Sequence, residues 1–347
     1  MSCRSVTSTC AEENLPFVSV IMPVRNEAAF LTKSLGSVLS QDYPPSRMEI
    51  LVADGMSTDG TRVEIGRLAA MSQVSVIVLD NPGRIAPTGL NVGLGRARGE
   101  VIVRVDGHTI LEEDYVRQCV LALQRTGADN VGGRMKAVSE TPFGRAVALA
   151  TSSPFGVGGA KFHYSDREEW VDTVYMGCWP RSVFNRVGVF DEEMVRNQDD
   201  EFNYRLRENG GRVLLSPGIR SRYYNRATPR ALWRQYFQYG FWKVRVLQKH
   251  PAQMQLRQFI PPAFVVGLST VAAAALFSLT SRLLLAGVVA IYALAAGLAA
   301  LVAVGNSEWR LAGRVGLAFA MLHLAYGSGF LWGLIHFRSR WRDERPF

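Results

Sequence analysis

The sequence predicts an α/β domain built on a parallel sheet, followed by helices that cross a membrane. Over roughly the first two thirds of the 347 residues, short β-branched runs alternate with segments of helical periodicity. In the last third, three stretches of 24, 25 and 23 residues carry no Lys, Arg, Asp or Glu. Alternating strands and helices are typical of parallel sheets, and each uncharged stretch is long enough to cross the roughly 30 Å core of a bilayer.

The alternation begins at residue 18 with the run VSVIM, which Pro23 ends. Aliphatic and β-branched runs of this length predict buried strands, and apolar residues three or four positions apart predict helices. The predicted strands are 18–22, 48–53, 74–79 and 101–105, and the helices are 27–40, 61–71 and 89–98. Their order predicts parallel strands joined by helices that cover the sheet.

A further helix is predicted over 196–207 and a further strand over 212–215. The helix carries acidic and basic residues at i,i+4 spacing (RNQDDEFNYRLR), and the residues alone allow two interpretations. The helix either presents a salt-bridged surface or turns one carboxylate toward a ligand crevice as a general base.

Polar clusters follow the predicted strands at 23–27, at Asp54 and at 106–108. In open α/β sheets the carboxyl ends of the strands line the ligand crevice, so we expect these clusters to converge. Asp106 and His108 could share a divalent cation, with the imidazole favouring Mn²⁺ over Mg²⁺, although a loop with a solvated histidine has the same pattern. Asp54 could accept hydrogen bonds from a base or sugar, or cap the next helix.

Composition and motifs exclude several classes of protein. The four cysteines lack CxxC spacing, which gives no support for a disulfide scaffold or a zinc cluster. Neither GxGxxG nor GxxxxGKS/T occurs, which disfavours a dinucleotide or P-loop site. Of the formal charge of +9, +5 lies in the first 258 residues, which is modest for a nucleic-acid binder, and no nucleic-acid partner is expected.

Residues 228–257 combine basic and aromatic side chains just before the first uncharged stretch. This mixture suits the headgroup region of a bilayer, although an ordinary surface helix with a half-buried aromatic face has the same composition. The residues expected at this membrane interface are Trp233, Arg234, Trp242, Lys243 and Arg245.

The topology of the uncharged stretches contains a conflict. The first residues lack the apolar run of a signal peptide, so the α/β domain is expected in the cytosol, and three crossings would then place the C-terminus outside. Yet the last ten residues carry four arginines, which favour the cytosolic side. We expect three crossings, with a re-entrant or interfacial third segment as the alternative. Gly329 and Gly333 would let that segment pack closely on a neighbouring helix.

Taken together, the motifs resemble those of family 2 glycosyltransferases, which have the GT-A fold. VSVIMPVRNE (18–27) is similar to the family's opening strand and turn, and LVADGMSTDGT (51–61) to its second, Asp-rich motif. TGLNVGLGRARGEVIVRVDGH (88–108) is similar to the approach to the Asp-x-Asp motif, with His108 at its third position. RNQDDEFNYRL (196–206) resembles the acceptor-side motif, with Gln198 for the usual Glu. The most similar members are membrane-anchored bacterial enzymes of exopolysaccharide assembly, of the succinoglycan-biosynthesis type.

The resemblance implies an inverting transfer of a hexose from a nucleotide-diphospho-sugar, with UDP favoured, to a polyprenyl-linked or growing polysaccharide acceptor. It implies that Asp199 is the general base and that Asp106 and His108 hold Mn²⁺ or Mg²⁺ on the diphosphate. The residues implied to bind the nucleotide sugar are Pro23, Asn26, Glu27, Asp54, Arg84 and Asp106. Those implied on the acceptor side are Gly177, Trp179 and Gln198.

The expected organisation is a flexible N-terminus (1–16), a GT-A domain (17–227), an interfacial segment (228–257), a membrane domain (258–338) and a basic tail (339–347). We expect a multi-pass protein of the cytoplasmic membrane with its catalytic domain in the cytosol. Two other functions stay open. One is a processive polysaccharide synthase, whose Gln-x-x-Arg-Trp motif has no clear match at 234–239. The other is a catalytically inactive assembly protein, which His108 and Gln198 keep open.

Overall fold

The computed structural model describes residues 15–225, 227–305 and 308–342. Residues 1–14 of the expected flexible N-terminus and residues 343–347 of the expected basic tail lie outside these ranges. The chain forms two compact units. We call them the sheet unit, which contains residues up to 135 and 165–223, and the helical unit, which contains residues 136–164 and those from 224 onward.

The sheet unit is built on one sheet, which has nine strands within the described ranges. The strands are β1 (Val18–Val24), β2 (Met48–Asp54), β3 (Ser75–Asp80), β4 (Val101–Arg104), β5 (Thr109–Leu111), β6 (Asn130–Val138), β7 (Glu169–Val171), β8 (Cys178–Pro180) and β9 (Val213–Tyr224). Their order is β3-β2-β1-β4-β8-β6-β9-β5, and β7 pairs with β9. The first four are parallel, as predicted. The sheet then continues with antiparallel pairs, because β8 runs against both β4 and β6.

The α-helices alternate with the parallel strands and then dominate the C-terminal part. They are α1 (Ala28–Leu39), α2 (Thr61–Ala70), α3 (Ala86–Arg96), α4 (Tyr115–Thr126), α5 (Pro142–Thr151), α6 (Pro154–Val157), α7 (Ser182–Val187), α8 (Gln198–Glu208), α9 (Pro229–Lys249), α10 (Ile260–Ala274), α11 (Leu279–Val304) and α12 (Ala312–His336). Helix α3 begins three residues before its predicted start because Pro87 fits the first turn of a helix.

The core of the sheet unit explains its continuous apolar strands. Every residue of β2 is buried, as expected for a strand covered on both faces. On α1, Leu31, Leu35 and Val38 are fully buried in the same core cluster as the strands. Strand β9 has 12 residues, where the sequence predicted four. Pro217 and Gly218 interrupt its pattern, but pairing with β5 and β7 carries the strand past them.

Residues 136–164 belong to the helical unit, although the sequence placed them within the α/β domain. Helices α5 and α6 lie in this segment. The side chains of Ala146, Val147 and Ala150 on α5 form one buried cluster with Val315 and Phe319 of α12. The apolar face of α5 therefore has its partners more than a hundred residues further along the chain.

Helix α12 packs most extensively against α9, and small residues make this possible. A Cβ atom on Gly329 would collide with the carbonyl of Phe237, and one on Gly240 would collide with the carbonyl of Tyr326. Gly333 similarly faces the backbone of α9. The prediction that Gly329 and Gly333 allow close packing is confirmed. The neighbour is α9, which precedes the uncharged stretches.

The residues expected at the membrane interface separate into two groups along α9. Trp233 is 40% exposed and Arg234 is also on the surface, while Trp242 is half-buried. Lys243 and Arg245 are only 7% and 9% exposed. This corrects the expectation that their side chains face lipid headgroups, and the reason is that α9 is buried from Lys243 to Leu247.

Two helices within the described ranges are long and apolar enough to cross a membrane. They are α11, whose most apolar 18 residues have a mean hydropathy of 2.4, and the segment Trp309–His336 that contains α12, whose most apolar 18 residues have a mean hydropathy of 1.4. The first uncharged stretch forms α10, which has 15 residues. That is shorter than the roughly 20 residues that a crossing needs. The short segment is therefore the first of the three, whereas the sequence pointed to the third as the least typical.

Candidate active site

The loops after β1 and β2 are held together by Asn26. Its backbone N–H donates to Ser57 Oγ at 2.9 Å, and its side-chain Oδ1 accepts from the N–H of Thr58 at 2.9 Å. Asn26 has a φ of 54°, a left-handed conformation that asparagine tolerates better than most residues. Beside it, the half-buried Pro23 lies opposite Ala53 in the sheet. The structure thus brings two of the expected nucleotide-binding residues to the carboxyl edge of the parallel strands.

Asp54 is fully buried at the end of β2 and anchors an arginine. Its carboxylate accepts from Ser57 and from Arg62 Nε, the latter at 2.5 Å, and Arg62 also pairs with Asp80. Burial acts to raise the pKa of Asp54, but the hydrogen bonds from Ser57 and Arg62 outweigh it and hold the pKa below its ordinary value. Arg62 and Asp80, whose side chains are 45% and 68% exposed, are the surface groups of this cluster.

A single arginine joins the two central carboxylates of the predicted site. Arg104, the last residue of β4, is 3% exposed. Its Nε and Nη2 atoms each lie 2.9 Å from Asp106 Oδ1, and its Nη1 atom contacts Asp199. Asp106 and Asp199 are 93 positions apart in the chain, so this pairing comes from the fold. We call these three residues the Arg104 network.

Sequence reasoning missed Arg104, although a signal was present. The residue interrupts the apolar run VIVRV at 101–105, which was predicted as a strand. A charged side chain inside a buried strand is costly unless it is paired, so its position already implied acidic partners close by. The structure supplies those partners from the loop after β4 and from the first turn of α8.

His108 contacts Glu27, which lies in the turn after β1. Its Nδ1 atom is 3.3 Å from Glu27 Oε1, and its ring packs edge-on against Tyr223 with centroids 5.1 Å apart. Burial acts to raise the pKa of Asp106, but Arg104, His108 and a hydrogen bond from Tyr175 hold it below its ordinary value. Asp106 is therefore a carboxylate at neutral pH.

The acidic residues of helix α8 have different partners. Asp199 turns toward Arg104 and remains 27% exposed. Glu201 is 2% exposed and pairs with Arg205 on the same helix, with Nε to Oε1 at 2.8 Å. Arg205 also donates to the carbonyls of Val187 and Val189. Glu201 is thus a structural residue, and Asp199 is the more exposed carboxylate of the network, at 27% against 18% for Asp106.

The expected acceptor-side residues have different surroundings. Gly177, with a φ of 109°, accepts a hydrogen bond from the N–H of Arg104 through its carbonyl. Trp179 is 2% exposed and packs among Phe184, Phe190 and Phe202. The structure therefore places the Trp179 side chain in the core.

Two further expected residues lie at the edges of the site. Gln198 opens α8 next to Asp199 and is 7% exposed. Arg84 lies in the loop before α3, with a φ of 60° and an exposed side chain. Its carbonyl accepts from Arg25 Nη1 at 3.4 Å. This hydrogen bond joins the backbone of Arg84 to the turn after β1.

Asp106 and His108 fit a divalent cation that arrives with a phosphate ligand. Within the described residues, no group of three or more His, Cys, Asp or Glu side chains is placed to hold a metal ion. Mg²⁺ and Mn²⁺ are commonly bound by one or two protein ligands together with substrate phosphates. One carboxylate and one imidazole two positions apart satisfy that requirement, with the imidazole favouring Mn²⁺.

Known proteins resemble this chain over most of its length. Residues 19–192 match the family model described as "Glycosyl transferase family 2". The chain is 32% identical to the succinoglycan biosynthesis protein ExoA of Rhizobium meliloti (strain 1021), over 98% of this chain and 99% of the relative. It is 29% identical to the dolichyl N-acetyl-alpha-D-glucosaminyl phosphate 3-beta-D-2,3-diacetamido-2,3-dideoxy-beta-D-glucuronosyltransferase of Methanococcus voltae, over 67% of this chain and 74% of the relative.

A solved structure shares the fold. The mannosyltransferase PcManGT from Pyrobaculum calidifontis, in complex with GDP-Man and Mn²⁺, superimposes with a TM-score of 0.64 at 20% identity. The match covers 92% of this chain and 88% of that one. At this identity the likeness concerns the fold alone.

Proposed function

The chain belongs to glycosyl transferase family 2 and has the predicted GT-A fold, and from this premise we propose the reaction that it catalyses. The enzyme transfers a hexose, with inversion, from a nucleotide-diphospho-sugar to a lipid-linked or growing polysaccharide acceptor. UDP is the favoured nucleotide, and the reaction takes place at the cytosolic face of the membrane. The relative named for succinoglycan biosynthesis supports a role in polysaccharide assembly.

The Arg104 network is the observation that carries this proposal. Asp199 is a partly exposed carboxylate, and it lies on the opposite side of one guanidinium from Asp106. Asp199 accepts the proton of the acceptor hydroxyl while the hydroxyl oxygen attacks the anomeric carbon of the donor. The bond to the diphosphate breaks on the opposite face, toward Asp106 and His108. Arg104 keeps the two carboxylates at a fixed separation, which orients the two substrates.

The donor side of the site follows from the same geometry. Asp106 and His108 would hold a divalent cation, which when bound neutralises the charge of the departing diphosphate. Asn26 and Glu27 fix the loops beside it, because Asn26 bonds the turn after β2 and Glu27 contacts His108. In this proposal the nucleoside lies against these loops, with Asp54 acting there through Ser57 and Arg62.

The acceptor is proposed to be attached to a lipid. The relative from Methanococcus voltae is named for a dolichyl-phosphate-linked sugar, and the apolar helices of the helical unit could attach this chain to a membrane. A membrane location would keep the site close to a lipid-borne acceptor and so raise the rate of encounter.

Transfer from a panel of nucleotide sugars tests the function as a whole. Membranes that contain the full-length enzyme are expected to move label from one nucleotide sugar into a lipid-extractable or polysaccharide product, and the new glycosidic bond is expected to have the opposite anomeric configuration. NMR of the purified product measures that configuration. A retained configuration would contradict the inverting mechanism, and the absence of product with every donor would favour an inactive assembly protein.

Removal of divalent cations is expected to abolish the transfer. Excess chelator should lower turnover at least about tenfold, and Mn²⁺ should restore more activity than Mg²⁺ because His108 supplies an imidazole ligand. The variant His108→Asp should shift the preference toward Mg²⁺. Full turnover in excess chelator would remove the cation from the mechanism and leave Asp106 as a contact to the donor sugar nucleotide only.

A further inference from the structure

The apolar helices of the helical unit differ in how much of their surface is buried. In its most apolar window, α11 is 17% buried, while the segment that contains α12 is 44% buried. Nine large apolar side chains of α11 are exposed, against three of α12. The turn between α10 and α11 is the most open part, with Leu276 73% and Phe277 88% exposed. The outward-facing apolar surface therefore belongs mainly to α10, α11 and the turn that joins them.

The C-terminal half of α12 lies along α9. Gly329 and Gly333 of α12 meet the backbone of α9, and Val244 and Phe330 share one buried cluster. At the end of the pair, Gln248 Nε2 donates to the carbonyl of Phe337 at 2.9 Å. The two helices thus run side by side to the last turn of α12.

The N-terminal half of α12 lies against α5 and α6. Val147 of α5 shares a buried cluster with Phe319, and the Phe155 ring of α6 meets the Phe319 ring edge-on with centroids 4.9 Å apart. His323 Nε2 lies 2.8 Å from the carbonyl of Phe155. Helix α12 is therefore flanked along its length by α5, α6 and α9, all of which precede the first uncharged stretch. It also packs against the start of α10 and the second half of α11, where Tyr292 Oη lies 2.9 Å from His323 Nδ1.

The packing of α12 against α9 disfavours a crossing by α12. Helix α9 carries Arg234, Lys243, Arg245 and Lys249, and no helix among the described residues before it is long and apolar enough to cross a membrane. If α12 crossed the bilayer, the portion of α9 packed beside it would have to enter the hydrocarbon with these cations, where charged side chains are expensive. The polar backbone ends of α5 and α6 would have to enter as well.

We propose that α10 and α11 form a helical hairpin that enters the bilayer from the catalytic side and returns to it, while α12 stays on the catalytic side. The proposal rests on the membrane location in the proposed function. It places Arg310, Arg314, Arg338 and Arg340 on one face of the membrane, as the positive-inside rule favours. The conflict between three crossings and an arginine-rich C-terminus then disappears.

Thiol labelling of the full-length protein in sealed membrane vesicles tests this topology. The background carries Cys3→Ser and Cys10→Ser and keeps Cys119 and Cys178, which are buried. Single thiols are introduced by Ser339→Cys beyond α12, Thr280→Cys at the hairpin turn and Ser46→Cys as the marker of the catalytic face. All three positions are near the surface of the protein. The probe is a membrane-impermeant maleimide, applied before and after detergent.

We expect Ser339→Cys and Ser46→Cys to be labelled from the same face, to within about twofold in extent. Thr280→Cys should stay unlabelled from that face until detergent dissolves the vesicle. Labelling of Ser339→Cys only from the opposite face would overturn the proposal, and so would labelling of Thr280→Cys from the catalytic face of intact vesicles. Recovery of the parent protein in the detergent-free supernatant would overturn the membrane location itself. Transfer activity of each variant in membranes serves as the control for folding.

Discussion

Replacing Asp199 with asparagine is expected to lower turnover at least about a hundredfold while leaving folding and nucleotide binding nearly unchanged. Asparagine keeps the shape of the side chain and can still contact Arg104, but it cannot accept the proton of the acceptor hydroxyl. Steady-state transfer with saturating donor measures the loss, and nucleotide binding to the variant in detergent measures the integrity of the donor side.

Asp200→Asn is the matched control, because it makes the same chemical change one position further along α8. We expect its turnover to stay within about threefold of the parent enzyme. Glu201 cannot take over as the base, since it is 2% exposed and paired with Arg205. Retention of more than about a tenth of the turnover by Asp199→Asn would show that the base lies elsewhere.

Arg104→Met is expected to lower both stability and turnover. The substitution leaves the carboxylates of Asp106 and Asp199 close together without the cation between them, and Arg104 itself is 3% exposed. Removing one partner from a buried ion pair costs about 3 kcal/mol of unfolding free energy. Denaturant unfolding of the detergent-solubilised enzyme measures this loss, and donor affinity should fall with it because Asp106 loses its orientation.

Two further variants separate charge from geometry. Arg104→Lys keeps the positive charge but lacks the planar fork that reaches both carboxylates, so we expect it to recover part of the stability and little of the turnover. Arg117→Met removes an arginine whose partner, Asp42, is 44% exposed, and its cost should stay below about 1 kcal/mol. If Arg104→Met unfolds no more easily than Arg117→Met, the Arg104 network contributes no more to the free energy of unfolding than an exposed ion pair does.

The parallel half of the sheet was predictable because its signals are local. Each of its strands is a short aliphatic run, and the polar residues that follow the runs fall at the strand ends whatever their partners are. The local pattern therefore predicts that Asn26, Asp54 and Asp106 lie at one edge of the sheet, which is where they are found. Their individual contacts did not follow, because the roles of Ser57 and Arg62 depend on how two loops meet.

Features that depend on distant pairing were not predictable in the same way. Strand β9 continues through Pro217 because its partners β5 and β7 are already in place, which no local pattern records. The burial of Lys243 and Arg245 on α9 depends likewise on tertiary packing, which composition does not show. The ion pair between Arg104 and Asp199 spans 95 positions. The arginine within an apolar run indicated that an acidic partner was needed, but not which residue it was.

The excursion of residues 136–164 into the helical unit has a consequence for the order in which the protein is made. Helix α5 leaves the ribosome long before α12, which supplies Val315 and Phe319 for its apolar face. The delay is about 160 residues, or roughly 8 to 30 s at ordinary rates of synthesis of 5–20 residues per second. During that interval the nascent enzyme carries an uncovered apolar helix. A chain that stops near residue 227 would never cover this helix. The stretch that holds the predicted catalytic residues is therefore shorter than the stretch needed to bury all of its apolar helices.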